Sequence, residues 1–279
     1  ALGAPFIFET TLDAEYRSDT AGERAILLGI PHAIAEAVYR RCVELGDPPT
    51  RAFIRSTESM TGPLARTISH GGLRAVLDSF HGDDRRVFED AYCATYQAFA
   101  PLVAELYDEV RSGNECASVA LAARRLAEHP MTSVDGSRMW TVGRDVRNQR
   151  ETLDVSVDPL TAGIFCGAMI CQVDAFNDAG HRWSEIANES VIELVDSLIP
   201  YMHASGVAYM IDNCSTTARL GARKWAPRFE TAITQHVFPM LNGDGAHDDE
   251  LIAALDAHPI HDVLDVIGQY RPSVDIAVS

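Results

Sequence analysis

The sequence predicts an all-α protein. Three observations carry this. Apolar residues recur at three- and four-residue steps through most of the chain, almost no segment alternates with period two, and the breaks fall at helix-ending signals such as Gly46-Asp47-Pro48-Pro49 and His129-Pro130. Residues 1–18 read as a linker tail, with a short extended stretch at 6–8 and a polar approach to Asp19. Helices are expected over 20–45, 50–60, 63–79, 83–112 (ended by Ser112-Gly113) and 116–128. An irregular stretch follows near 130–160. Further helices are expected over 161–179, 184–203, 206–220, 227–241, 248–257 and 260–269.

Length and composition bound the rest. A chain of 279 residues holds two modest domains or one large one, and 47% hydrophobic residues suffice for a proper core. The net charge of −17 disfavours nucleic acid and anionic membrane surfaces as partners. Six cysteines form no C-x-x-C pair and no repeated spacing, which fits a reducing compartment; Cys166 and Cys171 sit in the apolar run 164–173 and read as core. The apolar stretches read as too short to span a bilayer. The chain opens on Ala1 with no methionine or leader pattern, and it reads as a piece of something longer.

Four carboxylates in two matched pairs are the candidate site: Asp19 with Glu23, and Glu189 with Glu193. A four-residue step puts both members of a pair on one helix face. Such spacing usually marks a solvated face, but each pair here borders an apolar run, Ala25 to Leu28 or Val191 to Leu198. A carboxylate beside a core is costly unless paired or metal-bound, and an all-oxygen donor set suits Mg²⁺. A faint internal repeat lays 18–23 on 184–189 and 57–66 on 212–221, so each half would bring one pair to a shared site.

Other motifs narrow the field. No G-x-G-x-x-G or G-x-x-x-x-G-K-[ST] occurs, so no dinucleotide or P-loop site is written here. No Glu-x-x-His step occurs, against a ferritin-like di-iron bundle. His258 and His261 border a loop and read as surface residues, and Asp83-Asp84 read as acids at a helix N-terminus. The stretch 212–227 (DNCSTTARLGARKWAP) gathers hydroxyls and three cations in an acidic chain. It reads equally as a capped helix start or as an anion pocket.

Taken together, EYRSDTAGER at 15–24, NESVIE at 188–193 and DNCSTTARLGARKWAPRF at 212–229 resemble the C-terminal part of the long, plant-type ketol-acid reductoisomerases. Arg138-Met139-Trp140, Val142-Gly143 and RPSVDI at 271–276 fit as well, and the resemblance covers the chain from about Leu2 to its end.

The resemblance implies a knotted, all-α pair of C-terminal domains, with 1–10 as the linker from an N-terminal Rossmann domain, 11–152 as the first domain and 153–279 as the second. It implies Mg²⁺-dependent alkyl migration in a 2-acetohydroxy acid and reduction by NADPH to a 2,3-dihydroxy acid, in valine and isoleucine biosynthesis. By match, Asp19 would bridge two Mg²⁺ ions and Glu23 would ligate one. Glu189 and Glu193 would support the second, partly through water. Glu15 would sit near the proton transfers, and Ser215 would bind the substrate carboxylate. Leu27, Leu28 and Leu198 would line the pocket for the migrating alkyl group. NADPH would reside on the Rossmann domain, which this sequence lacks, so the chain alone is expected to be inactive. The implied compartment is a plastid stroma or a bacterial cytoplasm, and the implied partners are the substrate, that Rossmann domain and further copies of the chain.

Overall fold

The computed structural model describes residues 7–243 and 245–270, and these form helices joined by turns, with no strand among them. The first helix, α1 (Leu12–Arg24), opens at Thr11, whose hydroxyl accepts a hydrogen bond from the Ala14 amide; Asp13 and Glu15 sit in the first turn, where the helix dipole favours acids. Residues 12–18 are therefore helix and not linker. The motif at 271–276 and the first six residues of the expected tail lie outside the described residues.

The single helix expected over 20–45 is two, α1 and α2 (Gly29–Glu44). Ala25 leaves helical geometry at φ −98, ψ −112. The Ile26 amide freed by the break donates to Gln172 Oε1 at 3.1 Å. Gly29 permits the re-entry, because a Cβ there would stand 2.0 Å from the Arg24 carbonyl oxygen. The apolar string Ala25 to Leu28 hides this break in the sequence. A partner from a distant helix is what makes it affordable.

After α3 (Pro49–Phe53) the chain continues through π-helical turns at Ile54–Glu58 and Met60–Leu64 into α4 (Ala65–Ser79), so the expected gap between 60 and 63 is absent. The long α5 (Gly82–Arg111) leads through left-handed Gly113 into α6 (Asn114–Arg125). The expected irregular stretch near 130–160 contains α7 (Arg138–Asn148). Its Trp140 is buried, packs edge-on to Phe53 at 6.0 Å and donates to Glu36 Oε1 at 3.2 Å.

At the centre lies α8 (Pro159–Asp178), capped by Asp158 and packed along α5. The approach is backbone to backbone: a Cβ on Gly163 would meet the Phe88 carbonyl at 2.4 Å, and one on Gly167 the Tyr92 carbonyl at 2.7 Å. This helix is long and apolar enough to cross a membrane, which corrects the reading that no stretch is. Yet 83% of its apolar window is buried inside the protein, as befits a core helix.

Next come α9 (Trp183–Ala187), a π-helical run Asn188–Leu198 and α10 (Ile199–Ser205), then α11 (Val207–Asn213) and α12 (Thr216–Ala232). The expected boundary between 220 and 227 is displaced. Cys214 closes α11 and Ser215 caps α12, which continues through Pro227. Burial of Trp225, Ala226 and Phe229 outweighs the one missing amide donor. A π-helical turn (Ile233–Val237), α13 (Phe238–Leu241), α14 (Asp249–Asp256) and α15 (Ile260–Gly268) complete the described chain. His258 and His261 are not surface residues. His258 Nε2 lies 3.0 Å from Asp174, and buried His261 lies 2.7 Å from the Leu255 carbonyl.

Candidate acidic site

α1 meets the π-helical run Asn188–Leu198, and the closeness is set by Gly22, where a Cβ would lie 3.2 Å from the Glu189 carbonyl oxygen. Gln172 of α8 fastens the junction: its Nε2 donates to the Glu189 carbonyl at 3.1 Å and to Ser190 Oγ at 3.0 Å, while its Oε1 takes the Ile26 amide. One fully buried amide therefore joins the end of α1 to the segment carrying the second acid pair. Gln172 is the lone polar residue in the apolar run 162–173, and that contrast is its signal in the sequence.

Across this junction Asp19 and Glu23 of α1 face Glu189 and Glu193, and the acids act on one another. Burial raises the Glu189 carboxyl to about 9, assisted by Glu193, Asp19 and Glu15 and opposed by the Asn188 amide, which donates to Oε1 at 2.8 Å. Glu189 Oε2 is buried and makes no hydrogen bond of good geometry, though Glu193 stands near enough for the two carboxyls to share a proton. Burial also raises Glu193, with Asp19 and Glu15 adding to it. Glu23 is raised by burial first, then by Asp19, and Glu193 adds to this while Arg24 opposes it. Burial raises Asp19, again against Arg24, and Glu15 is raised by burial, Asp19 and Glu185. Five carboxyls in mutual range each hold their protons more tightly than in water.

The remaining candidates lie around this cluster. Ser215 is exposed; its hydroxyl caps α12 by accepting from the Ala218 amide at 3.1 Å and lies 3.0 Å from Thr217 Oγ1, so the capped-start reading holds. The thiol of neighbouring Cys214 is raised by burial, with Glu23 and Glu193 contributing, so this turn stands beside the acids. Leu27 and Leu28 are sealed in the hydrophobic core and Leu198 is half-buried against it. Among the described residues no three His, Cys, Asp or Glu side chains form a preassembled metal-ligand group.

Sequence reasoning passed over three further residues. Glu185 extends the Glu189/Glu193 spacing by one more four-residue step; it is buried, accepts from Ser18 Oγ at 2.7 Å and lies 3.3 Å from His181 Nδ1. Arg24 and Glu115 form a buried ion pair at 3.1 Å. Nothing local marks Glu115, which opens a helix otherwise largely exposed.

Fold and site together define an all-helical module built around a buried acidic cluster. The family profile described as ketol-acid reductoisomerase, C-terminal domain, matches residues 12–152. The chain belongs to that family. It is 45% identical over its whole length to the chloroplastic ketol-acid reductoisomerase of Pisum sativum, covering 49% of that protein. It is 44% identical to the chloroplastic enzyme of Spinacia oleracea, covering 48%. Over 54% of its length it is 44% identical to the ketol-acid reductoisomerase (NAD(+)) of Desulfosudis oleivorans, covering 44% of that protein. The chain thus spans about half the length of the plant relatives.

Proposed function

We propose that this chain forms the metal- and substrate-binding half of a ketol-acid reductoisomerase, with nucleotide binding left to the part of the relatives it does not span. The reaction inferred is alkyl migration in 2-acetolactate or 2-aceto-2-hydroxybutyrate, then reduction by NADPH to a 2,3-dihydroxy acid, in valine and isoleucine biosynthesis. One observation carries the reading. Glu189 Oε2 is a buried carboxyl oxygen with no hydrogen bond of good geometry, crowded by Glu193, Asp19 and Glu15 and with no compensating cation of its own. Buried polar atoms are ordinarily satisfied, and an all-oxygen donor set fits Mg²⁺.

Two bound Mg²⁺ ions would polarise the substrate ketone and acidify its hydroxyl. The chain's own residues divide the remaining work. Asp19 would bridge the two ions, Glu23 would hold one, and Glu189 with Glu193 would hold the other, partly through water. Glu15, whose carboxyl keeps its proton above the ordinary range, would sit near the proton transfers. Ser215, exposed at the N-terminus of α12, would bind the substrate carboxylate, aided by the helix dipole. Leu198 would line the alkyl pocket, with Leu27 and Leu28 backing it from the core. We assign residues 11–152 and 153–279 to two domains that share the site, and further copies of the chain are compatible partners. The chloroplastic names of the pea and spinach relatives favour a plastid stroma, with a bacterial cytoplasm as the alternative.

The test is a fusion. Placed behind a family N-terminal dinucleotide-binding domain, this chain should support Mg²⁺-dependent turnover of 2-acetolactate, and Glu193→Gln should remove the alkyl shift. The chain alone should neither bind NADPH nor turn over. Tight NADPH binding by the isolated chain in a fluorescence titration would overturn the division of labour.

A further inference from the structure

We propose that Arg24 is a positioning residue for the metal site: a buried cation that pins one oxygen of Glu23 and ties it to the turn carrying Ser215. The inference rests on the metal reading above and concerns a residue that reading does not use. Arg24 is 2% exposed, and its guanidinium reaches three ways. Its Nη1 donates to Glu23 Oε2 at 2.6 Å, its Nε to Glu115 Oε1 at 3.1 Å, and its Nη2 approaches the Thr217 carbonyl at 3.5 Å. Gly221 closes the space behind, since a Cβ there would stand 2.6 Å from Arg24 Nε. Glycine at this position leaves the room that the guanidinium occupies.

Glu115 anchors the arrangement. It is fully buried, and its Oε2 also accepts from Lys224 Nζ at 2.6 Å and Trp225 Nε1 at 3.1 Å. The charge of Glu115 is thus already met by Lys224, and the fork of Arg24 has an arm to spare for Glu23. Among the described residues Arg24 is the only ion-pair partner of Glu23, and it holds Oε2. Glu23 Oε1 makes no hydrogen bond among them and remains available to a cation. The planar, always-charged fork of Arg24 spreads its donors over three nitrogens and so reaches two carboxylates and a carbonyl that stand apart, where a lysine offers a single nitrogen. Outer partners that orient a ligand typically change metal affinity 10–100-fold when lost.

The test uses the 279-residue chain, with Mn²⁺ binding read by electron paramagnetic resonance and Mg²⁺ binding by calorimetry. Arg24→Lys should weaken both about 10–100-fold. Lys224→Met removes a partner of Glu115 without touching Glu23, and it should leave both affinities within about twofold. A crystal structure of metal-free Arg24→Lys should show the Glu23 carboxylate turned from its present position. Should Arg24→Lys fail to fold, Arg24→Met with Glu115→Gln removes both buried charges together and should show the same loss. Unchanged affinity in the Arg24 variants, or an equal loss in Lys224→Met, would overturn the proposal. No saturable Mn²⁺ binding by the unaltered chain would overturn the metal reading itself, and the role of Arg24 with it.

Discussion

Glu115 and Glu189 are equally hidden from water, at 0% and 3% exposure, yet their surroundings are opposite. Glu115 faces Arg24, Lys224 and the Trp225 N–H, and despite the penalty of burial these hold its carboxyl below the ordinary range. Glu189 faces Glu193, Asp19 and Glu15, and its carboxyl rises to about 9. Glu58 repeats the first pattern, gripped by Arg150 at 2.7 and 3.1 Å. This fold evidently can supply a cation to a buried acid. At Glu189 it does not, and there the carboxyl holds its proton instead; under the function proposed above a bound cation would take that proton's place.

The comparison can be broken most sharply at Glu115. Glu115→Leu leaves Arg24 buried with less compensation and should destabilise the chain by about 3–5 kcal/mol, read by urea unfolding. A loss below about 1 kcal/mol would show that the two sites do not differ as described.

Next in size is the response to metal. Mg²⁺ at one hundred times its dissociation constant should stabilise the folded chain by about 2.7 kcal/mol through mass action. Asp19→Asn should lose most of that, while Glu58→Gln should retain it at a lower baseline. Equal responses in all three proteins would reduce the effect to general screening.

Titration separates the two acids by sign. The Glu189 carboxyl is raised in the fold, so its stabilising contribution is complete below the ordinary value of 4.5 and is lost as pH climbs toward about 9. Metal-free stability should therefore fall across that window by up to about 1.4 kcal/mol per pH unit, and Glu189→Gln should flatten the slope. Glu115 runs the other way. Its lowered carboxyl contributes above 4.5 and loses that contribution as pH falls below it. A wild-type stability that climbs from pH 5 to 9 would contradict the assignment of Glu189.

The smallest effect belongs to Ser215. Ser215→Ala removes the cap of α12 and should cost about 1 kcal/mol of stability. In the fusion enzyme it should also raise KM for the acetohydroxy acid more than it lowers kcat. An unchanged KM would confine Ser215 to capping.

The all-α class and most helices were legible in the sequence because apolar periodicity is a local signal that survives without knowledge of neighbours. The two acid pairs were legible for the same reason, each being a four-residue step beside an apolar run. What escaped was decided at a distance. The break between α1 and α2 depends on Gln172, 146 residues away from Ile26, so Ala25 to Leu28 reads locally as unbroken helix. The displaced boundary at 227 has the same origin, since proline in α12 is tolerated only because packing of Trp225 and Phe229 outweighs its missing donor. Sequence alone determined which residues are ionisable and how they are spaced along each helix. Tertiary structure alone decided which buried acids receive a cation, because desolvation and Coulomb terms depend on what lies within a few ångströms in space, whatever the separation along the chain.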